Sequence, residues 1–204
     1  MGKIFYLMGK SASGKDTLFK EILERIPELK TVVPYTTRPI RTGEKDGREY
    51  FFTTEENLQR LLKAGKVIEC RTYQTMMGAW NYFTVDDGQI DIEKENYLVI
   101  GTLESYEKTR QYFGKEYMVP FYITVENGLR LQRAIDREKN QTEPHYDEVC
   151  RRYLADEKDF CDNRLKECEI EKFYENQDFQ ACLNTIVEEI RGITINNLSK
   201  RENL

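Results

Sequence analysis

A glycine-bounded loop near the start of the chain has the pattern G-x-x-x-x-G-K, formed by Gly9, Lys10, Ser11, Ala12, Ser13, Gly14 and Lys15. In such a loop the backbone N–H groups point at phosphate oxygens, and the lysine ammonium neutralises charge on the β- and γ-phosphates. An apolar run before the loop predicts a strand, and Leu18, Ile22 and Ile26 after it have helical spacing. A P-loop for ATP is therefore predicted, with contacts from Gly9, Ser11, Ala12, Ser13, Gly14, Lys15, Asp16 and Thr17.

The position after the lysine, where a serine or threonine hydroxyl usually binds Mg²⁺, holds Asp16, and Thr17 follows it. Asp16 could coordinate the metal directly, since Mg²⁺ prefers carboxylate oxygen. Alternatively, Thr17 supplies the hydroxyl. Both alternatives stay open, with Mg²⁺ as the expected cofactor.

A second candidate site contains Arg38 and Arg41, three residues apart. Two such arginines can hold one phosphate from two sides, because each offers a planar fork of donors. Tyr50 follows a tight turn at Asp46-Gly47, which could fold its hydroxyl back onto the same phosphate. A solvated charged loop is the usual explanation of an isolated Arg-x-x-Arg pair.

The segment from Tyr35 to Phe52 resembles the signature of guanylate kinases, T-T-R-x-P-R-x-G-E-x-D-G-x-D-Y-x-F, with the proline displaced by one place and Glu49 replacing an aspartate. The resemblance extends in order over residues 3 to 190. It implies transfer of the γ-phosphate of ATP to GMP or dGMP. Lys15 and Arg38 are then expected to be catalytic, and Arg38, Arg41 and Tyr50 to bind the acceptor.

Further acceptor residues follow from the same resemblance. Val67-Ile68-Glu69 is similar to the family's F-I-E, whose glutamate accepts hydrogen bonds from the guanine edge. The segment 81–84 resembles Y-Y-G-S/T, in which a tyrosine contacts the phosphate and a hydroxyl residue contacts the base. Tyr82 and Thr84 are therefore expected to bind the acceptor.

Two positions depart from the family pattern. The serine expected four residues before Arg38, a base contact, is Pro34. The D-x-D that ends a core strand is replaced by Ile100-Gly101-Thr102, which retains a hydroxyl at Thr102 and no carboxylate. Thr102 is kept as an acceptor-binding candidate. The base preference is left open, and a different phosphorylated acceptor is the main alternative.

Arg133 and Arg137 are one helical turn apart, and Arg152 follows in the next charged helix. By resemblance these three arginines belong to a lid and reach the transferring phosphoryl group as catalytic residues. Alternatively, these arginines form surface ion pairs, although such pairs contribute only about 0–1 kcal/mol to stability. Transfer to an ionised phosphate needs no general base, because positioning and charge neutralisation supply most of the catalysis. A catalytically silent binding scaffold is a further alternative, which the retained Lys15 and arginines disfavour.

These residues require an α/β fold: a three-layer α/β/α P-loop kinase with a parallel core sheet, an inserted small mixed α+β acceptor-binding subdomain and a helical lid. We expect one domain over residues 1–204. Its predicted parts are a core (1–32, 88–132 and 158–191), the acceptor-binding subdomain (33–87), the lid (133–157) and a polar tail (192–204) that frays. One long helix is predicted from Tyr146 to about Lys166.

Composition limits the remaining possibilities. The 204 residues carry a net charge of −5, which argues against nucleic-acid or membrane binding. Five scattered cysteines without a C-x-x-C pair, and a single histidine, indicate reduced thiols and make a zinc site improbable. The apolar start is too short for a signal segment, so a cytoplasmic location is expected. No protein partner is indicated.

Overall fold

The structure is a computed structural model that describes residues 1–41, 43–75 and 78–202. In chain order, its strands and helices are β1 (Ile4–Gly9), α1 (Lys15–Arg25), β2 (Tyr35–Thr36), β3 (Phe51–Phe52), α2 (Glu55–Lys63), β4 (Val67–Thr75), β5 (Gly78–Val85), β6 (Tyr97–Gly101), α3 (Leu103–Phe113), β7 (Met118–Thr124), α4 (Asn127–Lys139), α5 (Tyr146–Asp159), α6 (Asp162–Glu167), β8 (Phe173–Glu175) and α7 (Phe179–Glu202).

The core sheet has the strand order β6-β1-β7-β8, and every neighbouring pair is parallel. Its central strand, β1, is buried along its whole length. A parallel strand covered by helices on both faces needs apolar side chains at consecutive positions, which is why Ile4–Gly9 is a continuous apolar run.

Alternation along β1 sends its side chains into two separate cores. Phe5 and Leu7 pack with residues of α1 and α7, whereas Ile4, Tyr6 and Met8 pack with residues of α3 and α6. The sheet is therefore the middle layer between two layers of helices. This arrangement confirms the predicted α/β fold with a parallel core sheet.

A second, mixed sheet has the order β3-β2-β5-β4, and all its strands lie between residues 35 and 85. Its longest strands, β4 and β5, form an antiparallel hairpin at one edge, and α2 contributes Leu58 to a small core with Phe83 and Val85. The mixed sheet lies within the predicted 33–87 segment. The domain boundaries themselves stay predictions.

The predicted long helix from Tyr146 to Lys166 is wrong, because the structure has two helices, α5 and α6. The chain leaves helical geometry at Phe160, whose ring is buried and stacks on Tyr122 with centroids 5.3 Å apart. Cys161 then has an extended backbone and precedes α6. Burying the Phe160 ring beneath the sheet accounts for the break.

The frayed tail predicted from residue 192 is also wrong for the described residues, because α7 continues to Glu202. Leu183, Ile186 and Ile190 keep the helical spacing and are fully buried, and Ile193 packs on the same core. This anchored face carries the helix past Gly192. Residues 203–204 lie outside the described part of the chain. None of the helices that the structure describes is long and apolar enough to span a membrane.

Candidate active site

The predicted P-loop joins β1 to α1 and needs glycine at two of its positions. A Cβ on Gly9 would lie 2.6 Å from the Ile123 carbonyl oxygen, so β7 leaves no space for a side chain there. Gly14 has a φ of 85° and precedes the first helical residue, Lys15. The left-handed conformation at Gly14 turns the chain so that the positive end of α1 faces the loop.

Asn176, directly after β8, is hydrogen-bonded to the backbone of the P-loop. Its side-chain Nδ2 donates to the Ser13 carbonyl at 2.8 Å, and a Cβ on Gly14 would lie 2.4 Å from the same Nδ2. The Asn176 carbonyl accepts from both terminal nitrogens of Arg133 at 3.2 Å. The structure thus brings Arg133 beside the loop. Sequence reasoning missed Asn176, which no local pattern identifies.

Lys15, Asp16 and Thr17 lie at the first turn of α1. The Lys15 Nζ is 3.6 Å from the Asp16 carboxylate, and both Asp16 and Thr17 are exposed. Among the described residues, no group of three or more His, Cys, Asp or Glu side chains could hold a metal ion. One exposed protein oxygen together with nucleotide phosphates suits Mg²⁺, which commonly binds this way. The residues therefore fit a nucleotide-dependent Mg²⁺ site, and Asp16 and Thr17 stay alternatives.

The C-terminal half of α5 is bonded to the P-loop. The Asp156 carboxylate accepts from the Ser11 backbone N–H at 2.7 Å, and Glu157 accepts from Lys10 at 2.8 Å. Both carboxylates also contact Arg130 of α4, at 3.3 Å and 2.6 Å respectively. The Arg130 side chain is 2% exposed, and its guanidinium stacks on the Tyr153 ring. Sequence reasoning missed Arg130, although its position one turn before Arg133–Ala134 on an amphipathic helix was a usable signal.

Arg137 and Arg152 face the P-loop across a cleft between α4 and α5. The cleft is also lined by Ser11 and Glu148. Arg152 donates to Glu148 at 2.7 Å. Hydrogen bonds from Arg151 and then Arg152 lower the pKa of Glu148 to about 2. Arg133 thus reaches the loop through Asn176, whereas Arg137 and Arg152 are exposed and share a cleft with Ser11 of the loop.

In the acceptor-binding segment, Arg38 is buried and held on several sides. Its two terminal nitrogens donate to Glu44 at 2.7 Å and 2.5 Å, and one of them also donates to the Pro39 carbonyl. Its guanidinium lies 5.1 Å from the Tyr50 ring centroid and 5.3 Å from that of Phe52. The Arg38 bond lowers the pKa of Glu44 to about 2. The charge of Arg38 is therefore neutralised by Glu44 in this conformation.

Arg41 and the tyrosines complete this end of the site. The Arg41 side chain is exposed, and its backbone N–H donates to Glu44 at 2.8 Å. The rings of Tyr50 and Tyr82 contact edge-on, with centroids 5.6 Å apart. Burial raises the pKa of Tyr50. Arg38, Tyr50 and Tyr82 are thus adjacent, with Arg41 connected to them through Glu44.

The open face of the β4–β5 hairpin carries the predicted base-contacting residues. Tyr82 and Thr84 alternate with buried residues of β5, and Trp80 precedes them on the same face. The Thr84 hydroxyl donates to Glu69 at 2.9 Å. Glu69 is buried, with a side chain 2% exposed. The structure therefore brings Glu69 and Thr84 together.

Arg71 was missed by sequence reasoning. Its Nε is 3.0 Å from Oε2 of Glu69, and its Nη2 is 3.3 Å from Oε1. Burial disfavours the charged guanidinium, but Glu69 outweighs that effect and raises the pKa of Arg71 above its ordinary value. The spacing Glu69-x-Arg71 within a strand, which places both side chains on one face, was the signal that could have revealed it.

Thr102 is placed differently from the other candidates. Its hydroxyl caps α3 by accepting from the Ser105 N–H at 3.2 Å, and the Ser105 hydroxyl accepts from the Thr102 N–H. Tyr6 donates to the Ser105 hydroxyl at 2.7 Å, and a Cβ on Gly101 would lie 2.3 Å from the Tyr6 oxygen. Hydroxyls thus fill the strand end that the family pattern assigns to carboxylates. Among the described contacts, none joins Thr102 to Glu69.

Comparison with known proteins identifies a matching family. The family model described as guanylate kinase matches residues 1–191. The guanylate kinase of Thermotoga maritima is 32% identical over 106 residues, which are 48% of this chain and 51% of that protein. That of Rhodococcus jostii is 41% identical over 68 residues, or 33% of each chain. That of Frankia casuarinae is 48% identical over 63 residues, or 31% of this chain and 34% of the other.

These curated relatives are matched only over part of their length. The chain spans about half of the Thermotoga protein and about a third of the other two. The crystal structure of guanylate kinase from Anaplasma phagocytophilum is similar with a TM-score of 0.64, over 94% of this chain and 85% of that one. Its sequence identity is 20%, so this similarity concerns the fold.

Proposed function

The chain belongs to the guanylate kinase family, and from that membership we propose that the protein transfers the γ-phosphate of ATP to GMP or dGMP. The observation that carries this proposal is the acceptor face. A buried arginine, Arg38, lies against the Tyr50 ring, which contacts Tyr82 of β5. Two residues further along β5, Thr84 donates to the buried carboxylate of Glu69. A nucleoside monophosphate has a base edge that donates and a phosphate that accepts at its two ends.

The donor half of the site suits ATP. Backbone N–H groups of the loop and the positive end of α1 can bind the phosphates, and Lys15 can neutralise them. The proposed catalytic arginines are Arg133, which is bonded to Asn176 beside the loop, and Arg137 and Arg152, which line a cleft with Ser11 of the loop. Charge neutralisation of this kind lowers the barrier because negative charge is spread over the transferring group.

The acceptor half suits a guanine nucleotide. Arg38, Arg41, Tyr50 and Tyr82 form the proposed phosphate-binding group. The acceptor phosphate would replace Glu44 at Arg38, exchanging one anion for another. Glu69, supported by Thr84, can accept hydrogen bonds from guanine N1–H and the 2-amino group. Thr102 stays a proposed acceptor contact, and its hydroxyl would have to bind the acceptor while it caps α3.

Mg²⁺ is the proposed cofactor, and Asp16 or Thr17 would hold it beside the nucleotide phosphates. When bound, it would neutralise charge on the donor phosphates. We also propose the three-part division into core, acceptor-binding subdomain and lid, and a cytoplasmic location, which the five free cysteines support. Neither a nucleic acid nor a protein is a proposed partner.

A different phosphorylated acceptor is the second candidate. It is favoured by one observation, the hydroxyl and glycine residues where the family pattern has D-x-D. An acceptor without the guanine edge would not need those carboxylates. Such a compound would still use Arg38 and Tyr50 for its phosphate.

The test is ADP release measured with GMP, dGMP, AMP, CMP and UMP in turn. We expect kcat/KM to be highest for GMP or dGMP, and Glu69→Gln to lose most of the preference over AMP, because adenine has no N1–H or 2-amino group for the carboxylate. Equal use of GMP and AMP, or turnover of neither, would contradict guanylate kinase activity and favour the second candidate.

Lys15→Ala provides the control for the donor site. It should abolish turnover with every acceptor while leaving the protein folded, because the Lys15 side chain lies at the open loop and not in either core. Lys20→Ala, on an exposed position of the same helix, is the matched variant and should retain wild-type turnover.

A further inference from the structure

Arg71, the ion-pair partner of Glu69, carries hydrogen-bond donors and a positive charge that could contact a base. Arg71 and Glu69 form a buried ion pair, with side chains 16% and 2% exposed. The two bonds to Glu69 take two of the five N–H groups of the guanidinium, and within the described part of the chain no hydrogen bond engages the other three. A donor fork and an acceptor carboxylate therefore lie side by side.

The position of Arg71 in the hairpin places it along the path of the acceptor. In the β4–β5 register Glu69 lies opposite Thr84, and Arg71 lies opposite Tyr82. Tyr82 contacts Tyr50, whose ring lies over Arg38. The residues thus run in order from the phosphate-binding arginine, through the tyrosines, to Arg71 and Glu69.

Two positions at which the family pattern has base-contacting side chains offer no charged donor in this chain, so a cation beside Glu69 could take that role. Pro34 has no side-chain hydrogen-bond donor. At the end of β6, Gly101 has no room for a side chain, and the hydroxyls of Tyr6 and Ser105 are bonded to each other. Arg71 is the charged donor that the described structure places beside Glu69.

We propose that Arg71 is a specificity-determining residue that donates to the 6-oxo group of the guanine base while Glu69 accepts from N1–H and the 2-amino group. This inference rests on the proposed guanylate kinase function. An arginine fork commonly binds the O6 and N7 acceptors of guanine, because their spacing matches two parallel N–H groups. The Arg71–Glu69 pair would thus recognise 6-oxopurines as a class.

The alternative is that Arg71 only neutralises Glu69. Adenine cannot separate the two roles, because its 6-amino group mismatches Arg71 and its unprotonated N1 mismatches Glu69. 6-Thio-GMP separates them. It keeps the N1–H and the 2-amino group for Glu69 and replaces O6 with sulfur, a weak acceptor.

The experiment compares kcat/KM for GMP, IMP and 6-thio-GMP in the wild type and in Arg71→Ala. Losing a hydrogen bond to a charged group weakens binding by roughly tenfold or more, so the wild type should prefer GMP over 6-thio-GMP by about that factor. Arg71→Ala should reduce kcat/KM for GMP and IMP by a similar factor. Its kcat/KM for 6-thio-GMP should change little, so the ratio of GMP to 6-thio-GMP approaches one.

Two further variants keep the test decisive. Arg71→Lys keeps a positive charge beside Glu69 and loses the planar fork, so it should fold normally and still show a reduced ratio. Arg60→Ala removes an exposed arginine of α2 in the same sheet region and should leave the ratio unchanged.

The outcomes are separable. Equal loss for GMP, IMP and 6-thio-GMP in both Arg71 variants would overturn the inference and leave the proposed function standing. A wild type that phosphorylates none of the three nucleotides would overturn the proposed function together with the inference.

Discussion

Arg38 is a buried cation whose charge is satisfied before any acceptor binds. Glu44 holds both terminal nitrogens, and the rings of Tyr50 and Phe52 lie against the guanidinium. Cation–π contacts of this kind contribute about 0.5–1 kcal/mol or more when desolvated. The guanidinium is thus fixed in orientation. We expect the acceptor phosphate to replace the Glu44 carboxylate while the Arg38 side chain keeps its conformation.

The pKa of Glu44 makes the Arg38 pair sensitive to acid. Its folded-state pKa is about 2, below the ordinary value of 4.5, so the carboxylate stabilises the fold above pH 4.5 and loses that contribution as the pH falls towards 2. We expect Glu44→Gln to lower the midpoint of thermal unfolding at pH 7. The difference from wild type should narrow steadily between pH 4.5 and 2.

Glu24→Gln, on an exposed position of α1, serves as the control for Glu44→Gln. It should change the unfolding midpoint little at either pH. If the difference in unfolding midpoint between Glu44→Gln and wild type stays constant with pH, the lost charge of Glu44 is not the cause of the destabilisation.

Helix α3 contacts β4 beside Glu69, because the Lys108 Nζ donates to the Cys70 carbonyl at 2.8 Å. Thr102 is its N-cap, in a reciprocal capping box with Ser105. Thr102→Ala should destabilise the protein by about 1 kcal/mol in urea unfolding, since the cap satisfies an orphan N–H group. If Thr102 also binds the acceptor, its loss will raise the KM for GMP.

Thr54 offers the matched comparison, because it caps α2 by accepting from the Asn57 N–H. Thr54→Ala should cost a similar free energy of unfolding with no change in the KM for GMP. If Thr102→Ala and Thr54→Ala have the same effects, Thr102 is a cap and no more.

Arg130 joins three elements: it extends from α4 and contacts two carboxylates of α5, both of which contact the P-loop. Removing one member of a buried ion pair leaves unpaired charge, so Arg130→Ala should cost about 3 kcal/mol of unfolding free energy, measured in urea. Arg137→Ala, about two turns further along α4 and exposed, should cost less than about 0.5 kcal/mol and instead lower turnover. The reverse pattern would contradict both assignments.

The elements that sequence predicted well have strong local patterns. β1 and the P-loop follow from an apolar run with a glycine turn, and the start of α1 follows from the helical spacing of Leu18 and Ile22. The break between α5 and α6 has no such pattern, because it depends on the Phe160 ring meeting Tyr122 of β7. The length of α7 likewise depends on contacts with the core and not on the polarity of its final turns.

The same distinction applies to the site. Lys15, Arg38 and Glu69 belong to contiguous motifs and were predicted from them. Asn176 reaches the P-loop from 163 residues away in the chain, and Arg130 pairs with residues 26 and 27 positions later. Partners of this kind are fixed only when the sheet order brings β8 and α5 beside the loop.

The stability of the protein depends on two hydrophobic cores that share one sheet. α7 closes one of them, where Ile186 is fully buried. Ile186→Ala should therefore cost about 2–5 kcal/mol of unfolding free energy, because it leaves a cavity against the sheet. Ile195, on the same helix, is 62% exposed, and Ile195→Ala should change stability by less than about 0.5 kcal/mol. Equal effects of the two substitutions would contradict the layer assignment.

The single tryptophan of the chain, Trp80, gives the hairpin an optical property. Trp80 lies opposite Tyr73 and two residues before Tyr82, on the face that we assign to the acceptor. Indole emission depends on local polarity and on nearby charge, so a nucleotide seated on this face would change the intrinsic fluorescence. The P-loop has no tryptophan of its own. The two substrates would therefore leave different spectral signatures, and the molecule carries a built-in, label-free reporter for one of them.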